Sequence, residues 1–105
     1  MAQMELAGVT LEVDEHGFMQ ETDKWNQDIA RAYGALEGVN ELTEEHWIVI
    51  NYLRGYYLAN GICPMIKRLI KESGFSLKKI YDLFPEGPAH SACKWSGVPK
   101  ATGCV

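Results

Sequence analysis

Two cysteines close to the C-terminal end of the sequence are the residues best suited to chemistry. Cys93 and Cys104 are eleven positions apart, with Gly97, Pro99 and Gly103 between them. Fully extended, this stretch spans at most about 36 Å, at roughly 3.3 Å per residue. Two thiols on one segment support thiol–disulfide exchange, in which one thiolate attacks a sulfur electrophile and the second resolves the mixed species. A bond between them requires Cα atoms within about 7 Å, so the segment must fold back.

Lysines near both cysteines favour the reactive thiolate. Lys94 follows Cys93 directly, and Lys100 lies four residues before Cys104. A neighbouring cation lowers the pKa of a thiol. The carboxylate of Val105 acts on Cys104 in the opposite sense, and the sequence leaves the balance open. Small Gly103 reduces bulk beside Cys104, so we expect this end to enter a narrow channel in a partner, as a substrate or carrier does.

The overall composition is that of one globular domain. The chain has 105 residues, of which 47% are hydrophobic and 23% charged. It has no apolar run of membrane-spanning length and no basic-then-apolar leader, so we expect a cytoplasmic location and no insertion into a membrane. There are three cysteines, with no CxxC pair and no framework spacing. This usage favours reduced or transiently bonded thiols in a reducing compartment.

Charge is unevenly distributed along the chain. Residues 1–60 carry three basic and eleven acidic side chains, whereas residues 61–105 carry seven basic and three acidic ones. The net charges of the two parts are therefore −8 and +4. The basic part is either an ordinary solvated face or a surface that docks an acidic partner or a polyanion.

The elements that must position the cysteines begin with a predicted β-hairpin or meander over residues 4–20. Val9, Leu11 and Val13 alternate with polar residues, which is the period of a half-buried strand. Turn residues 14–17 close this strand. Two or three short strands are not stable alone, so we expect them to pack on helices.

Apolar residues at helical spacing predict four helices, followed by an arm. Thr43 is the expected N-cap of the second helix, Pro64 stands in the first turn of the third, and Pro85 ends the fourth. Since Pro88 and Pro99 also follow residue 84, we expect neither a helix nor a central strand beyond it. The predicted helices are about 26–37, 44–59, 64–73 and 77–84. The predicted organisation is a single domain with a hairpin plus helical bundle over 1–84 and a flexible C-terminal arm over 85–105.

The third and fourth helices have the spacing of a helix-turn-helix. Lys78 and Lys79 would lie at the start of the second of these, where a recognition helix meets DNA. However, the isoelectric point is acidic, near 5.3, and that helix has no arginine, asparagine or glutamine for reading base edges. A packed helical corner is the simpler interpretation, so nucleic acid is not an expected partner.

Other chemistry has little support. His16, His46 and His90 are scattered, and no Cys/His cluster has metal-ligand spacing. We expect Cys63, just before Pro64, to be a small buried apolar residue. Without a nucleophile elbow, a phosphate loop or a carboxylate pair, neither an autonomous enzyme nor a resident cofactor is expected.

Several motifs resemble the DsrC/TusE family, over nearly the whole chain. The resemblance implies an α+β, mostly helical fold: an N-terminal β-hairpin packed on a small helical bundle with a helix-turn-helix and a mobile C-terminal arm. Supporting matches lie at residues 13–18, 45–46, 56–57, 60–62 and 64–65. The motifs that carry the resemblance are Leu83-Phe84-Pro85-Glu86-Gly87-Pro88, Ala92-Cys93-Lys94 and Gly97-Val98-Pro99-Lys100-Ala101-Thr102-Gly103-Cys104-Val105.

The resemblance also implies a function. Members with both cysteines resemble the sulfur carrier that partners the alpha and beta subunits of dissimilatory sulfite reductase. By this resemblance Cys104 captures sulfite-derived sulfur at the partner's sirohaem, and Cys93 joins it in a trisulfide that a membrane-bound DsrMKJOP-type complex reduces. Sirohaem and iron–sulfur clusters would belong to the reductase, and this chain would need no cofactor of its own. Lys100, Gly103 and Lys94 are the expected docking residues.

Two alternatives remain. TusE-like members relay persulfide sulfur for tRNA 2-thiouridine synthesis, and they typically keep the cysteine at position 104 while lacking the one at 93. Having Cys93, and only residues 74–76 between the third and fourth helices, favours the branch from sulfite reducers. A helix-turn-helix regulator is the third interpretation. The chain departs from the family pattern at Ala101, usually proline, at Trp95, usually smaller, and at Lys67, usually arginine.

Overall fold

The chain begins with the predicted hairpin. The computed structural model describes residues 2–98, apart from the side chains of Pro88 and Ala89. Strands β1 (Ala2–Leu6) and β2 (Val9–Val13) pair antiparallel, and Met4 lies opposite Leu11. Ala7 and Gly8 form the turn with φ of +53° and +77°. Two consecutive left-handed residues match the right-handed twist of the flanking strands.

One face of the hairpin lies on the core, as its alternation predicts. Leu6, Leu11 and Val13 are buried, and Val13 also bridges to Met19. The hydroxyl of Tyr33 donates a hydrogen bond of 2.8 Å to the carbonyl of Gly17, which ties the hairpin to the first helix. The two strands therefore have the helical support that a lone hairpin lacks.

The first two helices lie within a residue or so of their predicted bounds because local signals fix their ends. Helix α1 (Gln27–Leu36) begins where the Asn26 side chain accepts a 2.9 Å hydrogen bond from the Ile29 amide. Helix α2 (Glu44–Asn60) is capped at Thr43 and ends at Gly61, whose φ is +75°. A glycine with positive φ is the usual end of a helix.

The next two helices form the predicted corner. Helix α3 (Ile66–Ser73) starts two residues later than expected, because Met65 has extended geometry and serves as its N-cap. Helix α4 (Leu77–Leu83) begins where Ser76 Oγ accepts a 3.1 Å hydrogen bond from the Lys79 amide. Among the residues that the structure describes, no helix is both long and apolar enough to cross a membrane.

Residues 88–98 pack on the core and most of them are helical, so the expectation of a flexible arm starting at residue 85 is wrong for this part of the chain. A π-helical turn, Pro88–Ala92, continues directly into the short helix α5 (Cys93–Trp95). Pro88 is tolerated because the first amides of a helix have no intrahelical acceptor. The side chains of Trp95 and Val98 are fully buried and hold this segment on the core. The predicted arm residues 99–105 lie outside the described part of the chain.

Candidate functional site

Cys93 is the first residue of α5 and lies inside the domain rather than on a moving arm. The residue is only 3% exposed. Its Sγ lies 3.6 Å from Sγ of Cys63, which is in the connection between α2 and α3 and is itself 8% exposed. The predicted burial of Cys63 is confirmed, but its contact with Cys93 was not foreseen. The site thus places two thiols in contact within the core.

The side chain of Trp95 anchors α5 on the core. It is fully buried, stacks on His46 at 6.1 Å between ring centroids, and packs on Phe84 at 5.0 Å. Its indole Nε1 donates a 2.9 Å hydrogen bond to Oε2 of Glu37, while the other oxygen of that carboxylate accepts one from Ser91 Oγ. One acidic side chain at the end of α1 therefore fixes both the π-helical turn and α5.

Arg54 of α2 holds the far end of α5. Its guanidinium donates to the carbonyl of Ser96 at 3.1 Å and to that of Thr22 at 2.8 Å. The guanidinium also lies over the ring of Trp25, 4.4 Å from the ring centroid. The indole Nε1 of Trp25 in turn donates a hydrogen bond of 2.7 Å to the Trp95 carbonyl. Burial lowers the pKa of Arg54 from its ordinary value. The sequence did not identify Arg54 as a site residue. A signal was present, however, because Arg54 stands among the apolar residues that recur at helical spacing in α2 and therefore faces the core.

His46 is a neutral imidazole whose tautomer follows from its partners. The Thr43 amide donates to Nδ1 at 3.0 Å, so Nδ1 is unprotonated. Nε2 therefore carries the proton and donates to the Leu83 carbonyl at 2.7 Å. Burial lowers the pKa of His46. The ring joins the start of α2 to the end of α4 beneath Trp95, which is a structural role.

Gly97 sets the path by which the chain leaves α5. Its φ is +70°, and a Cβ at this position would lie only 2.4 Å from Cδ1 of Trp25. The chain then continues to the buried Val98, whose amide donates a hydrogen bond of 3.3 Å to the Cys93 carbonyl. Backbone contact with Cys93 is therefore kept up to the last described residue.

Of the remaining predicted site residues, Lys94 lies within the described part of the chain. Lys94 is half-buried, and its ammonium lies 5.3 Å from the ring centroid of Phe18, beside a groove of about 230 Å³. Its docking role stays a prediction. Cys104, Lys100 and Gly103 lie outside the described residues.

The structure gives the DNA-binding interpretation no support. Lys79, at the start of α4, forms an ion pair of 3.0 Å with Glu45 of α2, so its charge is offset within the protein. Within residues 2–98, no three His, Cys, Asp or Glu side chains come together as a metal site would require. The thiol pair is therefore the strongest chemical feature of the described chain.

Comparison with known proteins identifies the family. The model of the family "DsrC like protein" matches residues 5–105. The gamma subunit of the dissimilatory-type sulfite reductase of Nitratidesulfovibrio vulgaris is 43% identical over 105 residues, which is all of both chains. The sulfurtransferase TusE homolog of Haemophilus influenzae is 36% identical, over 97% of this chain and 99% of that one. The crystal structure of the oxidized gamma subunit (DsrC) from Archaeoglobus fulgidus superposes with a TM-score of 0.86 at 39% identity, covering 99% of this chain and all of that one. The chain belongs to the DsrC-like family, as its motifs predicted, and is a homologue of the gamma subunit of dissimilatory sulfite reductase.

Proposed function

We propose that this chain is a sulfur carrier and the co-substrate of dissimilatory sulfite reductase, not an autonomous enzyme. The observation that carries the proposal is the position of Cys93, a thiol fixed in a buried helix at the root of the segment that bears Cys104. The full-length similarity to a reductase gamma subunit supports the choice of partner. The reducing cytoplasm suits thiols that must exchange.

Cys104 is the moving thiol in this proposal and Cys93 is the stationary one. Because α5 is held by Trp95, Glu37 and Arg54, Cys93 does not travel to the reductase. The six residues from Val98 to Cys104 reach at most about 20 Å, at roughly 3.3 Å per residue. Cys104 takes up sulfur in the partner within that reach and returns to Cys93, with Lys100, Gly103 and Lys94 assisting docking.

The balance of atoms and electrons defines the cycle. One sulfurous acid, two thiols, two electrons and two protons give the Cys93–S–S–S–Cys104 trisulfide and three waters. Four further electrons and four protons then restore both thiols and release hydrogen sulfide. The first pair of electrons comes from the reductase, whose alpha and beta subunits would hold the sirohaem and iron–sulfur clusters. A membrane-bound DsrMKJOP-type complex would supply the remaining four.

The alternative is a persulfide relay for tRNA thiolation; a TusE homolog is also similar to this chain, but at 36% identity against 43% for the gamma subunit the similarity does not favour it. In that role Cys104 receives and passes on a sulfane sulfur without a second thiol. Replacement of Cys93 by serine would then leave the transfer rate unchanged, whereas the carrier role requires both cysteines.

The test is the intact mass of the reduced protein after incubation with the reductase, sulfite and a limiting supply of electrons. We expect a gain of one sulfur atom less two hydrogen atoms. The gain should disappear in Cys93→Ser and Cys104→Ser and should persist in Cys63→Ala, the matched control. No gain in the wild-type protein, or a gain that survives in Cys93→Ser, contradicts the proposal.

A further inference from the structure

The contact between Cys63 and Cys93 has a chemical consequence of its own. The two Sγ atoms, 3.6 Å apart, come from different elements that are 30 positions apart in the chain. A disulfide requires about 2.05 Å, so the sulfurs need to approach by only about 1.5 Å. We infer that Cys63 is a third redox thiol, which forms a dithiol site with Cys93 inside the domain and displaces Cys104 from Cys93.

Two features of the geometry prepare Cys63 for this attack. The separation of the sulfurs is close to the range of about 3–3.5 Å that is typical of reacting atoms poised to combine. Cys63 also lies outside the helices, in the connection before α3. Its backbone is therefore not held by a helical hydrogen-bond ladder.

Burial restricts which thiols can compete with Cys63. Because Cys93 and Cys63 are only 3% and 8% exposed, they are shielded from thiols in solution while α5 lies on the core. For a sulfur bound to Cys93, the competing thiols of this chain are Cys63, which lies beside it, and Cys104. An intramolecular neighbour has a large advantage in effective concentration over a free thiol.

The displacement step rests on the proposed function, since it starts from the trisulfide. The Cys63 thiolate, after giving its proton to solvent, attacks the Cys93 sulfur. A Cys63–Cys93 bond forms, the bond between Cys93 and the central sulfur breaks, and the electron pair leaves with the central sulfur. Cys104 becomes a persulfide anion. The trisulfide is itself the oxidant, so no other reagent is consumed. The carrier would thereby gain a second activity, the donation of sulfane sulfur from Cys104 to an acceptor thiol.

The dithiol site can be tested without the reductase. The Cys104→Ser variant is oxidised with diamide under native conditions, digested without reduction and analysed by peptide mass. We expect a Cys63–Cys93 cross-linked peptide pair as the main product, and its loss in the matched Cys63→Ala/Cys104→Ser variant. If Cys63 and Cys93 are recovered only as separate adducts, or if both stay thiols over a time in which a maleimide labels them under the same native conditions, the dithiol site does not exist.

A second arm tests displacement. Protein loaded with sulfur by the reductase is alkylated rapidly, and the persulfide adduct on Cys104 is quantified in wild type and Cys63→Ala. We expect a substantial adduct in wild type and at least a tenfold smaller one in Cys63→Ala. Equal adducts overturn the displacement step. A failure to load sulfur would refute the proposed function, while the diamide result would stand separately.

Discussion

Replacement of Glu37 by alanine should make Cys93 far more reactive towards thiol reagents. Labelling of this buried thiol requires α5 to leave the core, and Glu37 accepts hydrogen bonds from both Trp95 Nε1 and Ser91 Oγ. Hydrogen bonds to a charged group contribute about 1.5–3 kcal/mol each. Because Glu37 is half-buried, the lower value applies, and the two bonds together contribute about 3 kcal/mol.

At about 1.4 kcal/mol per tenfold change, this loss raises the open population of α5 by about 100-fold. When opening and closing are fast compared with labelling, the labelling rate follows that population. Glu37→Gln keeps one acceptor oxygen for the indole and loses the charge. A loss of about 1 kcal/mol is then expected, which corresponds to an increase of about fivefold.

The assay is the rate of maleimide labelling by intact mass, in a Cys63→Ala/Cys104→Ser background where Cys93 is the remaining cysteine. Urea unfolding of the same variants separates local opening from global instability. Glu41→Ala, which removes an exposed carboxylate from the connection before α2, is the control and should not alter the rate. An unchanged rate in Glu37→Ala would show that these two hydrogen bonds do not hold Cys93 inside the domain.

Two further predictions concern stability. The lowered pKa of His46 means that the unfolded chain binds more protons than the folded one below the ordinary value of 6.5. The free energy of unfolding should therefore fall as the pH drops below about 6.5. Urea titrations at several pH values should show a weaker dependence of this free energy on pH in His46→Gln. The surface variant His90→Gln should retain the dependence that His46 causes. Gly97→Ala combines a left-handed φ with a clash against Trp25, whereas Gly38→Ala has the same φ problem in open space. By thermal unfolding, Gly38→Ala should cost about 1–2 kcal/mol and Gly97→Ala clearly more; equal losses would contradict the tight approach at Trp25.

Local signals explain what the sequence predicted well. Asn26 and Ser76 accept hydrogen bonds from amides three residues later, and Gly61 ends α2 with a positive φ, so each acts within a single turn of helix. Hydrophobic alternation over β2 likewise predicted the buried face of the hairpin. These features depend on neighbours along the chain, which a sequence displays directly.

Non-local contacts explain the features that the sequence did not predict. Trp95 looked like a departure from the family pattern, yet its indole binds Glu37, 58 positions away, and Arg54 reaches the Ser96 carbonyl across 42 positions. These bonds override the prolines that predicted an arm from residue 85. The pairing of Cys63 with Cys93 has no local signal either, because it depends on how the connection before α3 packs on α5.

The most direct measurement locates the sulfur on the protein. The reduced Cys63→Ala variant, in which Cys63 cannot displace the trisulfide, is incubated with the reductase and isotopically labelled sulfite, and the products are digested without reduction. We expect one cross-linked peptide pair in which a single labelled sulfur joins Cys93 to Cys104. Labelled sulfur on Cys104 alone, in the same amount with and without Cys93, would contradict it.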